Sequence, residues 1–125
     1  MSLIIRCLYR PGGAEARLAI RDVHLEYMIG QRDRLEQGGA LLARDGATVI
    51  GMFVTLKGCD HVDAEAFLAA EPYARAGLFE TTTIEALDRF VPHDDPLFLE
   101  TMLLDARRLK ALSGAPGRDP RRHPE

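Results

Sequence analysis

The chain has 125 residues, 46% hydrophobic and 28% charged, and its 16 Lys and Arg against 19 Asp and Glu leave a formal net charge of -3. That length fits one core burying about two thirds of the unfolded surface, and the composition excludes intrinsic disorder over most of it. The near-balanced charge gives no electrostatic reason to expect nucleic acid or an anionic membrane as partner, and no stretch approaches the ~18 apolar residues of a membrane span. The start, Met1-Ser2-Leu3-Ile4-Ile5-Arg6, lacks a basic segment followed by a long apolar one, so a cytoplasmic location is expected. Cys7 and Cys59 are too isolated for a disulfide framework or a metal motif.

In chain order, the β-branched and apolar run Leu3–Tyr9 reads as a first strand, stopped by the turn cluster Arg10-Pro11-Gly12-Gly13. From about Glu15 to Gln37 the residues Ala16, Ile20, Val23, Tyr27 and Leu35 recur at helical steps, giving one long amphipathic helix ended by Gly38-Gly39. Ala40–Arg44 and Ala47–Leu56 flank Asp45-Gly46, a dipeptide suited to a two-residue hairpin turn, and so pair antiparallel. Val62–Ala70 is rich in helix formers and stops near Pro72. Leu78–Phe90, with its Thr-rich centre, is the fourth strand.

The order βαββαβ predicts a ferredoxin-like α+β fold, two helices covering one face of a four-stranded antiparallel sheet. The other face carries Cys7, Phe53 or their alternating neighbours and needs cover, for which a homodimer through the sheet faces, a dimeric α+β barrel, is the simplest arrangement. An extra C-terminal helix from Pro96 to Leu112 follows, with Asp94 or Asp95 as N-cap, and can extend that contact. Residues 1–112 thus form the domain, and the Pro-, Gly- and charge-rich 113–125 a mobile tail.

His24 stands one turn after Ile20 and one turn before Met28, beside Val23 and Tyr27, and borders the apolar stripe. An imidazole exchanges a proton near neutral pH, although a histidine in such a place is more often structural. Glu71 in Ala70-Glu71-Pro72-Tyr73 ends the second helix, where a carboxylate opposes the macrodipole and calls for a positive partner that His24 can supply. Arg17 and Arg21, four apart, can hold an anionic substrate, or simply form a solvated face. Tyr27 or Tyr73 can donate a hydrogen bond to a small-molecule ligand. Asp60-His61-Val62-Asp63 and His93-Asp94-Asp95 lack the spacing of a metal site and read as polar loops whose acids cap helices, so no metal is expected. Phosphate-binding, dinucleotide-binding and nucleophile-elbow patterns are absent from the sequence, and no cofactor is expected.

Taken together, Arg21-Asp22-Val23-His24-Leu25, Gly38-Gly39 and Glu71-Pro72-Tyr73-Ala74-Arg75-Ala76-Gly77-Leu78-Phe79 resemble the YCII-related (YciI-like) family over about residues 3 to 90. The resemblance implies a dimeric ferredoxin-like fold, and implies that His24 and Glu71 occupy the positions of the family's helix histidine and of the acid in its Asp-Pro-aromatic turn. Most relatives have no assigned reaction and one branch eliminates chloride from a chlorinated hydroxyquinol, so the resemblance admits a lyase or dehydrochlorinase-like activity without fixing a substrate. Three positions depart from the pattern: Glu71 replaces Asp, Ala43-Arg44-Asp45 stands where Gly-Pro is usual, and Met52 rather than a hydroxylated residue follows Gly51. Two readings result. One is a cofactor-independent enzyme with His24 as proton acceptor and Glu71 orienting it; the other is a non-catalytic dimeric ligand-binding or interaction module in which the two residues form a structural bond.

Overall fold

In the computed structural model, which describes residues 1–114, β1 (Ser2–Tyr9) turns Leu3, Ile5 and Cys7 to one face and Ile4, Arg6 and Leu8 to the other. β1 pairs antiparallel with both β3 (Val49–Lys57) and β4 (Phe79–Leu87), and β3 pairs in turn with β2 (Leu35–Leu42). The sheet order β2-β3-β1-β4 is the ferredoxin-like one, so the expected α+β class holds. The register sets Leu3 opposite Leu56, Ile5 opposite Val54 and Cys7 opposite Met52, and all six side chains are buried on one face. Ala64 and Phe67 of α3 (His61–Ala70) close over that face, joined by Ile20, Tyr27 and Met28 from in and beside α2 (Arg21–Gly30).

Cys7 therefore belongs to the covered core, because it alternates in phase with Leu3 and Ile5. The opposite face carries Phe53 beside Ile4 and Leu8, all half-buried, with Arg6 exposed among them.

Gly51 of β3 has no room for a side chain against β1: a Cβ there would lie 2.2 Å from the Cys7 carbonyl oxygen and 3.0 Å from Leu8 Cδ2. Since backbone cannot yield as a side-chain tip can, Gly51→Ala is expected to destabilise the fold by about 2 kcal/mol or more. Urea unfolding followed by circular dichroism measures this; an unchanged midpoint would show that the strands are free to separate there.

The single long helix expected over 15–37 is instead several elements. α1 (Gly13–Ala16) and a 3-10 turn (Arg17–Ile20) precede α2, and a second 3-10 turn (Arg32–Arg34) leads directly into β2. Gly38 and Gly39 do not end a helix; they lie inside β2, opposite Val54 and Phe53. Long-range pairing with β3 outweighs the helix propensity of Leu35-Glu36-Gln37.

The hairpin joining β2 and β3 is likewise longer than two residues. Gly46 takes the left-handed conformation, φ +71°, while the Asp45 carboxylate accepts hydrogen bonds from Ala47 N, Thr48 N and Thr48 Oγ1. These bonds hold the Asp45 carboxyl down at about 2.

The short α4 (Pro72–Arg75) follows α3 after a single residue. Contacts divide the chain into two compact units, Met1–Asp88 and a second beginning at Arg89 that contains α5 (Phe98–Ser113). Neither Asp94 nor Asp95 is the N-cap of α5; Leu97 occupies that position, and the Asp95 carboxylate accepts from Leu97 N at 2.9 Å. The tail expected over 113–125 lies outside the described residues from position 115 onward.

Candidate active site at His24 and Glu71

Ile20, just before α2, and His24, Tyr27 and Met28 within it face inward, at steps of four, three and one, and His24 is the buried residue of the helix. Val23, which the sequence pattern places in the inner stripe, is 48% exposed. The break at Ile20, φ -125° and ψ 16°, resets the helix phase and brings His24 to the centre of the inner face.

Glu71 is fully buried. Its backbone leaves α3 in an extended conformation, ψ 127°, so its carboxylate serves as N-cap of α4 by accepting from Ala74 N at 2.9 Å, with Pro72 at the first helical position. Glu71 is thus at once the C-cap of α3, whose macrodipole opposes an acid, and the N-cap of α4, whose free backbone N–H it satisfies. The second carboxylate oxygen meets His24 Nδ1 at 2.5 Å, and the imidazole stacks on the Tyr73 ring at 4.0 Å and 9°.

With Nδ1 tied to Glu71, Nε2 is the ring nitrogen left for the cavity that His24 lines. That cavity has a volume of about 270 Å³, and Tyr9, Arg17, Arg21 and Tyr73 share its wall. It exists because the edge strand offers little side chain: Gly38 and Ala40 pair with Val54 and Met52 on the covered face and leave the space beneath α2 unfilled. The Arg17 guanidinium lies 5.9 Å from the Tyr9 ring centre, within cation–π reach. A larger, more open groove of about 440 Å³ runs between Leu68, Ala69, Phe79 and Ile84, but no imidazole, guanidinium or phenol lines it.

The structure thus brings His24, Glu71, Arg17, Arg21 and Tyr73 to one place. Tyr27 is elsewhere: its hydroxyl donates to the Phe67 carbonyl at 2.8 Å, tying α2 to α3. Tyr9 was not foreseen, although it continues the Leu3, Ile5, Cys7 alternation and so belongs on the covered face.

The acids of the loop at 60–63 cap a helix, as expected, and those at 93–95 do not. Asp60 caps α3 in a reciprocal capping box with Asp63, and His93 Nδ1 accepts from Asp95 N. Among the described residues, no group of three His, Cys, Asp or Glu side chains is placed to hold a metal ion. Nor is any helix among them long and apolar enough to cross a membrane.

Burial, with the Glu71 carboxylate adding to it, pushes the Cys7 thiol up to about 12 from 9.0, and burial followed by the neighbouring Tyr73 pushes the Tyr9 phenol up to about 12 from 10.0. Both groups release their protons first in the unfolded chain, so stability is expected to fall as pH rises from about 9 towards 12. Denaturant midpoints measured from pH 8 to 11 check this; a flat profile would mean that both groups titrate as they do in the unfolded chain.

The YCII-related domain family matches residues 1–88, a span that holds the sheet, His24 and Glu71. The chain belongs to this family. Among solved structures, this YCII-related domain is similar to 5-chloro-2-hydroxyhydroquinone dehydrochlorinase (TftG) from Burkholderia phenoliruptrix AC1100, in complex with 2,5-dihydroxybenzoquinone. The identity is 25% and the TM-score 0.64, covering 71% of this chain and 95% of that one. It also matches SnoaB, a cofactor-independent oxygenase from Streptomyces nogalater, at 16% identity and a TM-score of 0.47, covering 74% of this chain and 96% of that one. No curated protein matches the chain.

Proposed function

We propose that this YCII-related domain is a cofactor-independent enzyme performing acid–base chemistry on a small, planar, oxygenated ring, with His24 Nε2 as the base. The observation that carries this reading is the 2.5 Å bond between His24 Nδ1 and the fully buried Glu71, on an imidazole that lines a cavity. A carboxylate in that position fixes the proton on Nδ1, leaves the Nε2 lone pair towards the cavity, and stabilises the imidazolium formed when Nε2 accepts a proton.

Arg17 and Arg21 supply positive charge for a phenolate or enolate oxygen, and Tyr73 and Tyr9 supply aromatic walls and hydroxyls. About 270 Å³ suits a molecule of one ring, a size class that includes the dihydroxybenzoquinone bound by the dehydrochlorinase.

Elimination of HCl from a chlorinated hydroxyhydroquinone fits this equipment. A base takes a hydroxyl proton, the chlorine-bearing carbon takes one up, and chloride leaves with its bonding pair as the second hydroxyl loses its proton. The sum is loss of HCl and formation of a hydroxyquinone, with no external electron acceptor. A homodimer through the Ile4, Leu8 and Phe53 face would cover the apolar side of the sheet and belongs to the same proposal.

The test is chloride release from 5-chloro-2-hydroxyhydroquinone by the wild-type chain, with 2,5-dihydroxybenzoquinone as competitor. Chloride release that the quinone inhibits is the expected result. Failure of the quinone to bind, together with no chloride release, would overturn the ring chemistry. It would favour the binding-module reading, in which Glu71 acts only as a staple between His24 and the start of α4.

A further inference from the structure

The family domain ends at residue 88, so α5 is an addition to it. The helix has 16 residues and none is buried. Helices in proteins owe most of their stability to an apolar face packed on a partner rather than to intrinsic propensity. α5 has such a face: Leu99, Met102, Leu103, Ala106 and Leu109 recur at helical steps, and Leu99, Met102, Leu103 and Leu109 are 41–66% exposed.

Charge on α5 is divided along its length. Glu100 and Asp105 precede Ala106, and Arg107, Arg108 and Lys110 follow it. A parallel pair of such helices would set like charges side by side, whereas an antiparallel pair sets the acidic half of each against the basic half of the other and also opposes the two macrodipoles. Asp105 and Arg108 meet within the helix only at 3.8 Å, both largely exposed, so both remain available to a partner. Ala106, the smallest side chain of the stripe, lies near mid-helix, where two backbones approach most closely about a two-fold axis.

We propose that α5 packs antiparallel against α5 of a second copy of this chain, about a two-fold axis near Ala106. The acids on the polar side distinguish it from a helix that lies on an anionic lipid surface, where Lys and Arg dominate that side.

Disulfide trapping in the full-length chain tests this, in a Cys59→Ser background that removes the partly exposed native thiol and leaves Cys7 buried. Ala106→Cys is expected to shift most of the oxidised chain from 13.9 kDa to twice that mass. For Leu112→Cys the two thiols of an antiparallel pair lie about 18 Å apart, far beyond disulfide reach, and at least tenfold less cross-linking is expected. Adding Glu100→Lys and Asp105→Lys to the Ala106→Cys chain makes the charge all basic and is expected to lower trapping at least fivefold, with the far-ultraviolet spectrum retained. Equal cross-linking at 106 and 112 would overturn the antiparallel arrangement, and unchanged trapping in the all-basic helix would overturn the charge argument. No trapping at 106, with or without co-sedimentation on phosphatidylglycerol vesicles, would overturn pairing with a second copy.

Discussion

Glu71→Ala is expected to lower the unfolding free energy by about 2 to 4 kcal/mol, the sum of a lost helix cap and a lost buried charge-assisted hydrogen bond. Both contributions come from one side chain, since the carboxylate holds Ala74 N with one oxygen and His24 Nδ1 with the other. Glu71→Gln separates fold from chemistry. Its amide oxygen can keep the bond to Ala74 N, which leaves the NH2 group facing His24 Nδ1. Nδ1 must then be the unprotonated nitrogen, and the ring proton moves to Nε2. The fold is expected to stay within about 1 kcal/mol of wild type, while the cavity loses its base and turnover falls by about 10²-fold or more. Urea denaturation paired with chloride release measures both. Full activity in Glu71→Gln would show that the orientation of the proton on His24 does not matter.

His24→Ala is expected to reduce kcat about 10²- to 10⁴-fold, the usual contribution of a positioned acid–base group, with a much smaller change in KM because Arg17, Arg21 and Tyr73 remain in the wall. The substitution also leaves Glu71 with one partner fewer in a buried setting and removes the ring stacked on Tyr73, so a loss of stability accompanies it. His24→Gln keeps a donor towards Glu71 but is not a base at neutral pH. It is therefore expected to recover part of the stability and none of the rate. Stability and rate rising together in His24→Gln would mean that the imidazole serves the fold alone.

The pair itself was legible in the chain because each residue carried a local signal. His24 stood among apolar residues at helical spacing, and Glu71 preceded a proline that had to end the second helix. The role of Glu71 as cap of α4 was less accessible, since a helix of four residues leaves no periodic pattern.

Gly38-Gly39 misled for a physical reason. A glycine pair punctuates a helix end and a strand interior equally well, and only the distant register against Val54 and Phe53 decides between them. The same register decides the cavity, because it sets Gly38 and Ala40 under α2 where larger residues would fill the space. Tyr9 shows the opposite case. Its place on the covered face follows from simple alternation within β1, so strand phase carried through to the last residue would have found it.

The most direct test of the His24–Glu71 account is the nitrogen-15 spectrum of the His24 ring, recorded with and without 2,5-dihydroxybenzoquinone. The expected result is a proton on Nδ1, an unprotonated Nε2 in the free protein, and a shift confined mainly to Nε2 when the quinone is added. A proton on Nε2 in the free protein, or a ring that does not respond to bound quinone, would contradict His24 as the base of this site.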